Sequence, residues 1–399
     1  MGVGEDREFQ QKGKTMKIRN VVAVVAAVVL IGGCATSGEK ACQKTRQNAG
    51  GQPALKVAVF ADRGSAGIGA LEWFRLVDES PEMELKLVDG QAVRDGVLEG
   101  QDLFVMPGGS SKKEFDSLGT NGVERMKEFL RKGGGYVGTC AGCCLLMDGP
   151  FKRARIMPWN SSGSESATMF PTINVNAKGA AALGVKEGPH VVRYHGGPFL
   201  WATGNTIPDA NIEIWGTFDA EATLKGPLNI KKKMYGAGAI VGGSYGKGRV
   251  FATSAHPEYF NSTLYLVKGA IEYVTGRKVT FPQRLRSPGA ISVGFLASGI
   301  SGVETAATAV ELSKEKDMDV EFIDIDGIKR RRLDHIDVLV VASDYSKKNK
   351  YLEDAMKEFA AAGGKTVGFG AGADVLPAGG VKCQPRGAVA KAIRSVMGR

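Results

Sequence analysis

Residues 133 to 146 read Gly-Gly-Gly-Tyr-Val-Gly-Thr-Cys-Ala-Gly-Cys-Cys-Leu-Leu, and this stretch decides how the rest of the chain is interpreted. The pattern predicts a short buried strand, a tight glycine turn that carries Cys140, and the start of an apolar helix. Gly138 and Gly142 suit such a turn because a Cβ at either position would collide with a neighbouring strand or helix. Cys140 is therefore the side chain that the turn presents. The free N–H groups at the helix start favour a thiolate there, and the N–H of Ala141 is placed to stabilise an oxyanion.

Strands and helices alternate on both sides of this turn. Hydrophobic periodicity predicts strands at 56–60, 83–88, 103–106, 191–194, 212–218, 239–242 and 249–254, and helices at 70–77, 123–132 and from 261 or 262 to 274. The alternation predicts an α/β fold in which helices cover both faces of a parallel sheet. Such sheets place their sites at the carboxyl ends of the strands, where Pro107-Gly108-Gly109 and Cys140 fall.

Of the four histidines in the chain, His256 suits the chemistry of Cys140. It is followed by Pro257 and Glu258. In an extended segment, residues two apart face the same way, so we expect Glu258 to orient the imidazole. A thiol nucleophile needs a base and, later, an acid for the leaving group, and an oriented histidine supplies both. We therefore expect Cys140, His256 and Glu258 to form a nucleophile, a base and an orienting carboxylate.

These motifs resemble the class I glutamine amidotransferase-like superfamily. Within it, the segments at 106–109, 133–138, 194–199 and 246–259 are most similar to the domain found at the N-terminus of some biotin-protein ligases and in its stand-alone relatives. The resemblance covers about residues 55–277 and implies a flavodoxin-like three-layer sheet and a Cys-His-Glu triad. It also implies that Gly108 or Gly109 is the second oxyanion donor and that the substrate cleft is lined by Tyr194, His195, Gly196 and Gly197.

The amino terminus resembles a bacterial lipoprotein signal peptide. A basic segment begins at Met16, residues 21–31 form an apolar run too short to span a bilayer, and Ile31-Gly32-Gly33-Cys34 fits the lipobox pattern. We expect translation to start at Met16, residues 1–33 to be removed, and Cys34 to carry the lipid. An uncleaved anchor helix is the alternative. Residues 34–54 read as a flexible tether, and the resemblance implies attachment to the membrane, on the periplasmic side of an outer membrane where the cell has one.

Composition limits the classes of partner. An apolar fraction of 43% and a charged fraction of 24% over 399 residues are typical of a globular protein with about two domains. A net charge of +10 suits an anionic membrane or an envelope polymer. No nucleic-acid motif accompanies it, and we expect the basic runs at 231–233 and 329–332 to be solvated loops. The sequence predicts no cofactor and no metal ion.

The last part of the chain repeats the first. Residues 102–106 and 111–113 align with 337–341 and 346–348 at an offset of 235, and residues 137–142 align with 367–372 at an offset of 230. We predict a linker at 278–289 and a half-copy at 290–399, in which Gly370 replaces the nucleophile and Asp344 falls where an oxyanion needs a donor. A chance similarity between common α/β units is the alternative.

Three functions fit these residues. The first is a cysteine amidohydrolase that acts on a small amide-containing substrate or an envelope component through a thioester. The second is a binding or scaffolding protein that keeps the motif without turnover. The third is thiol–disulfide exchange by Cys140 and Cys143, for which the His256–Glu258 pair would have no use. Metal binding by Cys140, Cys143 and Cys144 lacks a second ligand cluster, and we expect Cys143 and Cys144 to pack as small apolar residues.

Overall fold

The structure is a computed structural model, and it describes residues 51–149, 152–219, 234–283, 286–297, 302–329, 331–342 and 350–399. The predicted signal peptide, Cys34 and most of the tether lie outside these residues, as do the 231–233 lysines, Asp344 and the 346–348 segment. The described residues belong to one compact unit. Within these ranges, no helix combines the length and the apolar character needed to cross a membrane.

The first sheet contains eleven strands in the described part of the chain. They are β1 (Leu55–Phe60), β2 (Met83–Val88), β3 (Leu103–Met106), β4 (Gly135–Thr139), β5 (Trp159–Ser161), β6 (Thr172–Val175), β7 (Gly188–Val191), β8 (Leu200–Ala202), β9 (Ala210–Asp219), β10 (Gly238–Tyr245) and β11 (Gly248–Thr253). Nine of them follow the order β2-β1-β3-β4-β11-β10-β9-β6-β7, and β8 pairs with β5 and β10.

Only half of this sheet is parallel. Strands β2, β1, β3, β4 and β11 pair in parallel, whereas β10, β9, β6 and β7 continue the sheet as antiparallel neighbours. The change occurs at the hairpin between β10 and β11, because a turn as short as Gly246-Lys247 can join only antiparallel strands. The parallel half contains the glycine turn, and there the α/β architecture is confirmed.

Helices cover both faces of the parallel half. They are α1 (Gly67–Glu79), α2 (Gly90–Arg94), α3 (Ser111–Arg131), α4 (Ala141–Leu146), α5 (Ala177–Leu183) and α6 (Leu264–Thr275). Side chains of β1 alternate between the two faces: Val57 and Val59 enter one buried cluster with α1 and α6, while Ala58 and Phe60 enter another with α3 and α4. This alternation produces the three layers that the sequence predicted.

Two predicted elements differ from the structure. The strand expected at 191–194 is β7, which ends at Val191; the next residues form a loop in which Tyr194 makes a single bridge to Met169. The helix expected at 123–132 begins at Ser111, with a kink at Gly119, whose φ is 61°. The kink interrupts the periodicity, so the sequence pattern revealed only the second half of α3.

The carboxyl-terminal residues form a second, five-stranded sheet. Its strands are β12 (Ile291–Leu296), β13 (Met318–Ile323), β14 (Val338–Val341), β15 (Lys365–Gly368) and β16 (Val381–Lys382), and its helices are α7 (Val303–Ser313), α8 (Ile325–Lys329), α9 (Lys350–Ala361) and α10 (Gly387–Val396). All strand pairs are parallel, in the order β13-β12-β14-β15-β16. One cluster of buried side chains includes residues of both α1 and α7, so the two sheets share part of a core.

The second sheet has the strand order of the parallel half of the first. The turn after β15 also has the geometry of the turn after β4: Gly370 has a φ of 55°, close to the 51° of Cys140. A Cβ on Gly372 would lie 2.3 Å from the carbonyl oxygen of Ala342, as one on Gly142 would lie 2.2 Å from that of Met106. The residues aligned by sequence thus occupy matching places in the two sheets.

Candidate active site

Cys140 stands at the turn between β4 and α4 in a strained backbone conformation. Its φ is 51° and its ψ is −101°, a region that residues with a side chain rarely adopt. The N–H of Cys140 donates to the carbonyl oxygen of Thr253 on the neighbouring strand at 2.8 Å, which fixes the turn to the sheet. The close contact of Gly142 with Met106 leaves no room for a Cβ, as the sequence predicted. Strain of this kind is concentrated at functional sites.

The structure brings His256 next to Cys140. The Sγ of Cys140 and the Nε2 of His256 each lie 3.4 Å from the same atom, the carbonyl oxygen of His195. On the other side of the ring, Nδ1 of His256 lies 2.8 Å from Oε1 of Glu258. The three predicted residues therefore meet in one place, although Cys140 and His256 are 116 residues apart in the sequence.

The electrostatics of this group favour a charged imidazole. Burial alone would lower the pKa of His256, but the charges of Glu258 and Cys140 and the hydrogen bonds to both outweigh it and raise the pKa to about 10. An imidazolium beside a cysteine is a common way for proteins to stabilise a thiolate. The arrangement thus supplies both a nucleophile and a proton donor at neutral pH.

The Glu258 carboxylate is itself held in place, although not in the way the sequence predicted. Pro257–Tyr259 is a 3-10 helix, so the extended-strand argument for the contact between Glu258 and His256 was wrong even though the contact exists. Oε1 of Glu258 also accepts from Thr139 Oγ1 at 3.4 Å, and that hydroxyl accepts from Trp73 Nε1 at 3.2 Å. The side chain of Glu258 is buried, which keeps water from competing for the imidazole.

The glycine loop after β3 lies directly against the cysteine and the histidine. A Cβ on Gly108 would be 2.7 Å from Cε1 of His256 and 3.3 Å from the Cβ of Cys140. Gly109 has a φ of 147°, and a Cβ there would be 1.7 Å from the carbonyl oxygen of Gly64. Ala141 begins α4, so its N–H has no acceptor within that helix. Of the predicted oxyanion donors, Gly108 and Ala141 therefore lie beside Cys140, whereas Gly109 packs on the loop at Gly64.

The segment predicted to line a cleft has two roles in the structure. Tyr194 is fully buried, stacks on Phe199, and donates from its hydroxyl to the carbonyl oxygen of Gly197 at 2.6 Å, so it shapes the loop. His195 is half-buried and places its carbonyl against Cys140, while its Nδ1 lies 3.2 Å from Thr168 Oγ1. Gly196 is exposed, and Gly197 packs too closely on Ser254 to carry a side chain.

Glu114 is a buried group near Cys140 that the sequence did not reveal. Its side chain is fully buried in α3, and both of its carboxylate oxygens lack a hydrogen-bond partner in the part of the chain that the structure describes. Burial, reinforced by the charge of Cys140, raises the pKa of Glu114 well above its usual range, and Arg153 only partly opposes this. Burial thus favours the neutral form of this carboxyl. Its surroundings in the sequence, SKKEFDSL, are typical of a solvated helix surface.

Cys143 and Cys144 follow the turn within α4. Cys143 is fully buried in the core beneath the turn, and burial raises its pKa well above the ordinary value. Cys144 is partly buried, with the same direction of shift. A dithiol mechanism needs both thiols to be accessible in turn, so the position of Cys143 does not favour it. Among the described residues, no three metal-ligating side chains are grouped closely enough to hold an ion.

Comparisons with known proteins give one family match and several alignments with solved structures. Residues 81–145, from the end of α1 through the turn to α4, match the family model described as the N-terminal domain of biotin-protein ligase. Solved structures that align with the chain include PurLQS from Thermotoga maritima, at 13% identity over 55% of this chain and 98% of that one, with a TM-score of 0.38. A ThuA-like protein from Bacteroides uniformis aligns at 10% identity over 56% and 92%, with a TM-score of 0.40.

A GMP synthase component from Thermoplasma acidophilum aligns at 16% identity over 55% of this chain and 94% of that one, with a TM-score of 0.38. A comparison with curated protein sequences finds no match. In the described residues, the chain has an α/β fold with two sheets. Over residues 81–145 it is similar, more particularly, to the N-terminal domain of biotin-protein ligases.

Proposed function

We propose that residues 55–277 are a cysteine-dependent amidohydrolase that cleaves a C–N bond through a thioester. The observation that carries this proposal is the meeting of Cys140 Sγ and His256 Nε2 at the carbonyl oxygen of His195, with Glu258 on the far side of the imidazole. A nucleophile, a base and an orienting acid in this order are the parts that acyl transfer requires.

In the acylation step, Sγ of Cys140 attacks the carbonyl carbon of the amide and forms a C–S bond. The N–H groups of Ala141 and of Gly108 or Gly109 stabilise the charge that develops on the carbonyl oxygen. The imidazolium of His256 then gives its Nε2 proton to the nitrogen, the C–N bond breaks, and the amine leaves. The acyl group remains on Cys140 as a thioester.

In the deacylation step, a water molecule attacks the thioester carbonyl while His256 takes one of its protons. The C–S bond breaks, the carboxylic acid leaves, and the thiolate–imidazolium pair is restored. The His195 carbonyl lies against Sγ in the structure, so we expect the loop at 194–197 to shift when a substrate arrives. Exposed Gly196, whose φ is 77°, provides a flexible point for that shift.

We further propose that a lipid on Cys34 anchors the protein in the bacterial envelope. The support is the lipobox and the apolar run before it. The substrate is then a small amide-containing molecule or an envelope component, and the net charge of +10 suits an anionic surface.

A binding protein without turnover is the second candidate. The observation in its favour is that only 6% of Cys140 is exposed, with its sulfur against the His195 carbonyl. A substrate that cannot displace this carbonyl would bind near the turn and remain intact.

The test that separates the two uses the full chain and a series of amino-acid p-nitroanilides. Reactions are quenched in acid, and the peptide that contains Cys140 is examined by mass spectrometry. We expect an acyl adduct on Cys140 in the wild type and in the Cys383→Ser control, and none in Cys140→Ser. If iodoacetamide modifies Cys140 rapidly but no member of the series leaves an adduct, the binding protein is the better description.

A further inference from the structure

The second sheet contacts the surroundings of the active site through Asp324. This residue follows β13 and precedes α8, and its Oδ2 lies 3.5 Å from Nη2 of Arg193, in the loop after β7. Its position is fixed locally, because Oδ1 accepts from the N–H of Gly327 at 2.7 Å. The side chain of Arg193 is only 7% exposed, so Asp324 supplies a negative charge to a guanidinium that has little access to water.

Arg193 is linked to the base of the triad directly through its backbone and indirectly through Tyr259. Its carbonyl oxygen accepts from the N–H of His256 at 2.7 Å. Its guanidinium lies 3.7 Å from the centre of the Tyr259 ring, and that ring packs edge-on against the ring of His256, with 5.4 Å between their centres. Two residues further along the chain, His195 places its carbonyl against both Cys140 and His256.

Other contacts between the two sheets do not involve the triad. Arg75 of α1 donates to the carbonyl oxygen of Val320 at 2.9 Å and stacks over Phe322 at 4.2 Å. Lys314 pairs with Asp78 at 2.9 Å. These contacts also join the two sheets, so their docking does not depend on the Asp324–Arg193 pair alone.

We propose that Asp324 is a positioning residue for the active site, and that the copy without a nucleophile serves to hold Arg193 where it fixes His256. The proposal rests on the proposed function, because it assigns the copy a role in that reaction. Without the carboxylate, the buried guanidinium is drawn towards water, away from the Tyr259 ring. Both the backbone that holds His256 and the carbonyl of His195 are then released.

The experiment measures iodoacetamide labelling of Cys140 in the full chain as a function of pH. Asp324→Asn removes the charge at constant shape, and Asp78→Asn is the matched control, since it removes an interface carboxylate that does not touch the triad. We expect Asp324→Asn to slow the labelling of Cys140 at neutral pH roughly ten-fold, because His256 would be slightly displaced from the sulfur. We also expect its pH profile to differ from that of the wild type, while Asp78→Asn reproduces the wild type in both respects.

Three outcomes would overturn the proposal: an Asp324→Asn profile like that of the wild type, equal slowing by both variants, or a slower rate with an unchanged profile. If Asp324→Asn does not fold, Arg193→Lys decides, because it keeps the charge but loses the planar stack on Tyr259; it should slow labelling to a similar degree. A different result would refute the proposed function itself: a His256→Ala variant in which Cys140 is labelled at the wild-type rate.

Discussion

Replacing Glu258 by glutamine should move the ionisation of His256 towards that of an ordinary histidine. The substitution keeps the shape of the side chain but removes a buried negative charge whose Oε1 lies 2.8 Å from Nδ1 of the imidazole. Burial of the ring then acts with less opposition, and burial disfavours the charged form. The pKa of His256 should therefore fall.

The size of the change follows from the contact. A close opposite charge shifts a pKa by about 1–3 units, and each unit corresponds to about 1.4 kcal/mol. From a value of about 10 in the wild type, the pKa of His256 should fall to roughly 7–9 in Glu258→Gln. The pKa of His256 in the folded chain lies above the ordinary value of 6.5, so the imidazolium stabilises the wild-type fold to its full extent below about pH 6.5. This stabilisation is lost as the pH rises through about 10, and the loss should begin at lower pH in the variant.

The assay is NMR of the chain labelled with nitrogen-15 in its four histidines, with His256→Ala used to assign the resonances. In the wild type, the His256 signals should stay those of an imidazolium through neutral pH. In Glu258→Gln, they should titrate at lower pH. A wild-type His256 that titrates near 6.5, or a variant with the wild-type titration, would refute this account of the charge on His256.

Three further predictions concern separate features of the chain. Glu114→Gln should be more stable than the wild type at neutral pH, because the buried carboxyl resists ionisation only in the folded state. The difference in unfolding free energy should grow by up to roughly 1.4 kcal/mol for each pH unit above about 5. Urea unfolding at several pH values measures this difference. Gly108→Ala should slow iodoacetamide labelling of Cys140 by roughly 10–100-fold, since the new Cβ would lie 2.7 Å from Cε1 of His256. The control variant Gly387→Ala should leave this labelling rate unchanged, because the space around Gly387 is open. Cys34→Ala should abolish metabolic labelling with a fatty-acid analogue.

Each of these has a result that would contradict it. A stability gap between Glu114→Gln and the wild type that does not depend on pH would show that the carboxyl ionises normally in the folded chain. Wild-type labelling in Gly108→Ala would mean that the loop is not packed on the imidazole. Equal incorporation of the fatty-acid analogue by Cys34→Ala and the wild type would exclude that cysteine as the lipidation site.

The sequence predicted those parts of the site that depend on local backbone geometry. The turn that carries Cys140 is recognisable because glycines at 138 and 142 are required by contacts that leave no space for a Cβ. His256 and Glu258 were found because a thiol nucleophile needs an oriented base and the two residues are separated by a single proline just after a predicted strand. The contact between them was predicted for the wrong reason, since the segment is a 3-10 helix.

Other parts of the site depend on tertiary packing and leave no local signal. Arg193 and Asp324 are 131 residues apart in the sequence, and each alone is typical of a surface residue. Glu114 occurs in a polar stretch of α3, yet its side chain is buried and the loop at Gly64 packs against it. In the antiparallel half, the sequence predicted β9 and β10 but missed β5, β6 and β8, which are too short to show a clear alternation.

The central claim is that His256 activates Cys140, and competitive labelling with an electrophilic thiol reagent, followed by peptide mapping, tests it most directly. In the folded full chain, Cys140 should be modified faster than the half-buried Cys383, and His256→Ala should slow the modification of Cys140 at least ten-fold while leaving that of Cys383 unchanged. Equal rates at Cys140 and Cys383 in the wild type, or an unchanged rate at Cys140 in His256→Ala, would contradict the claim.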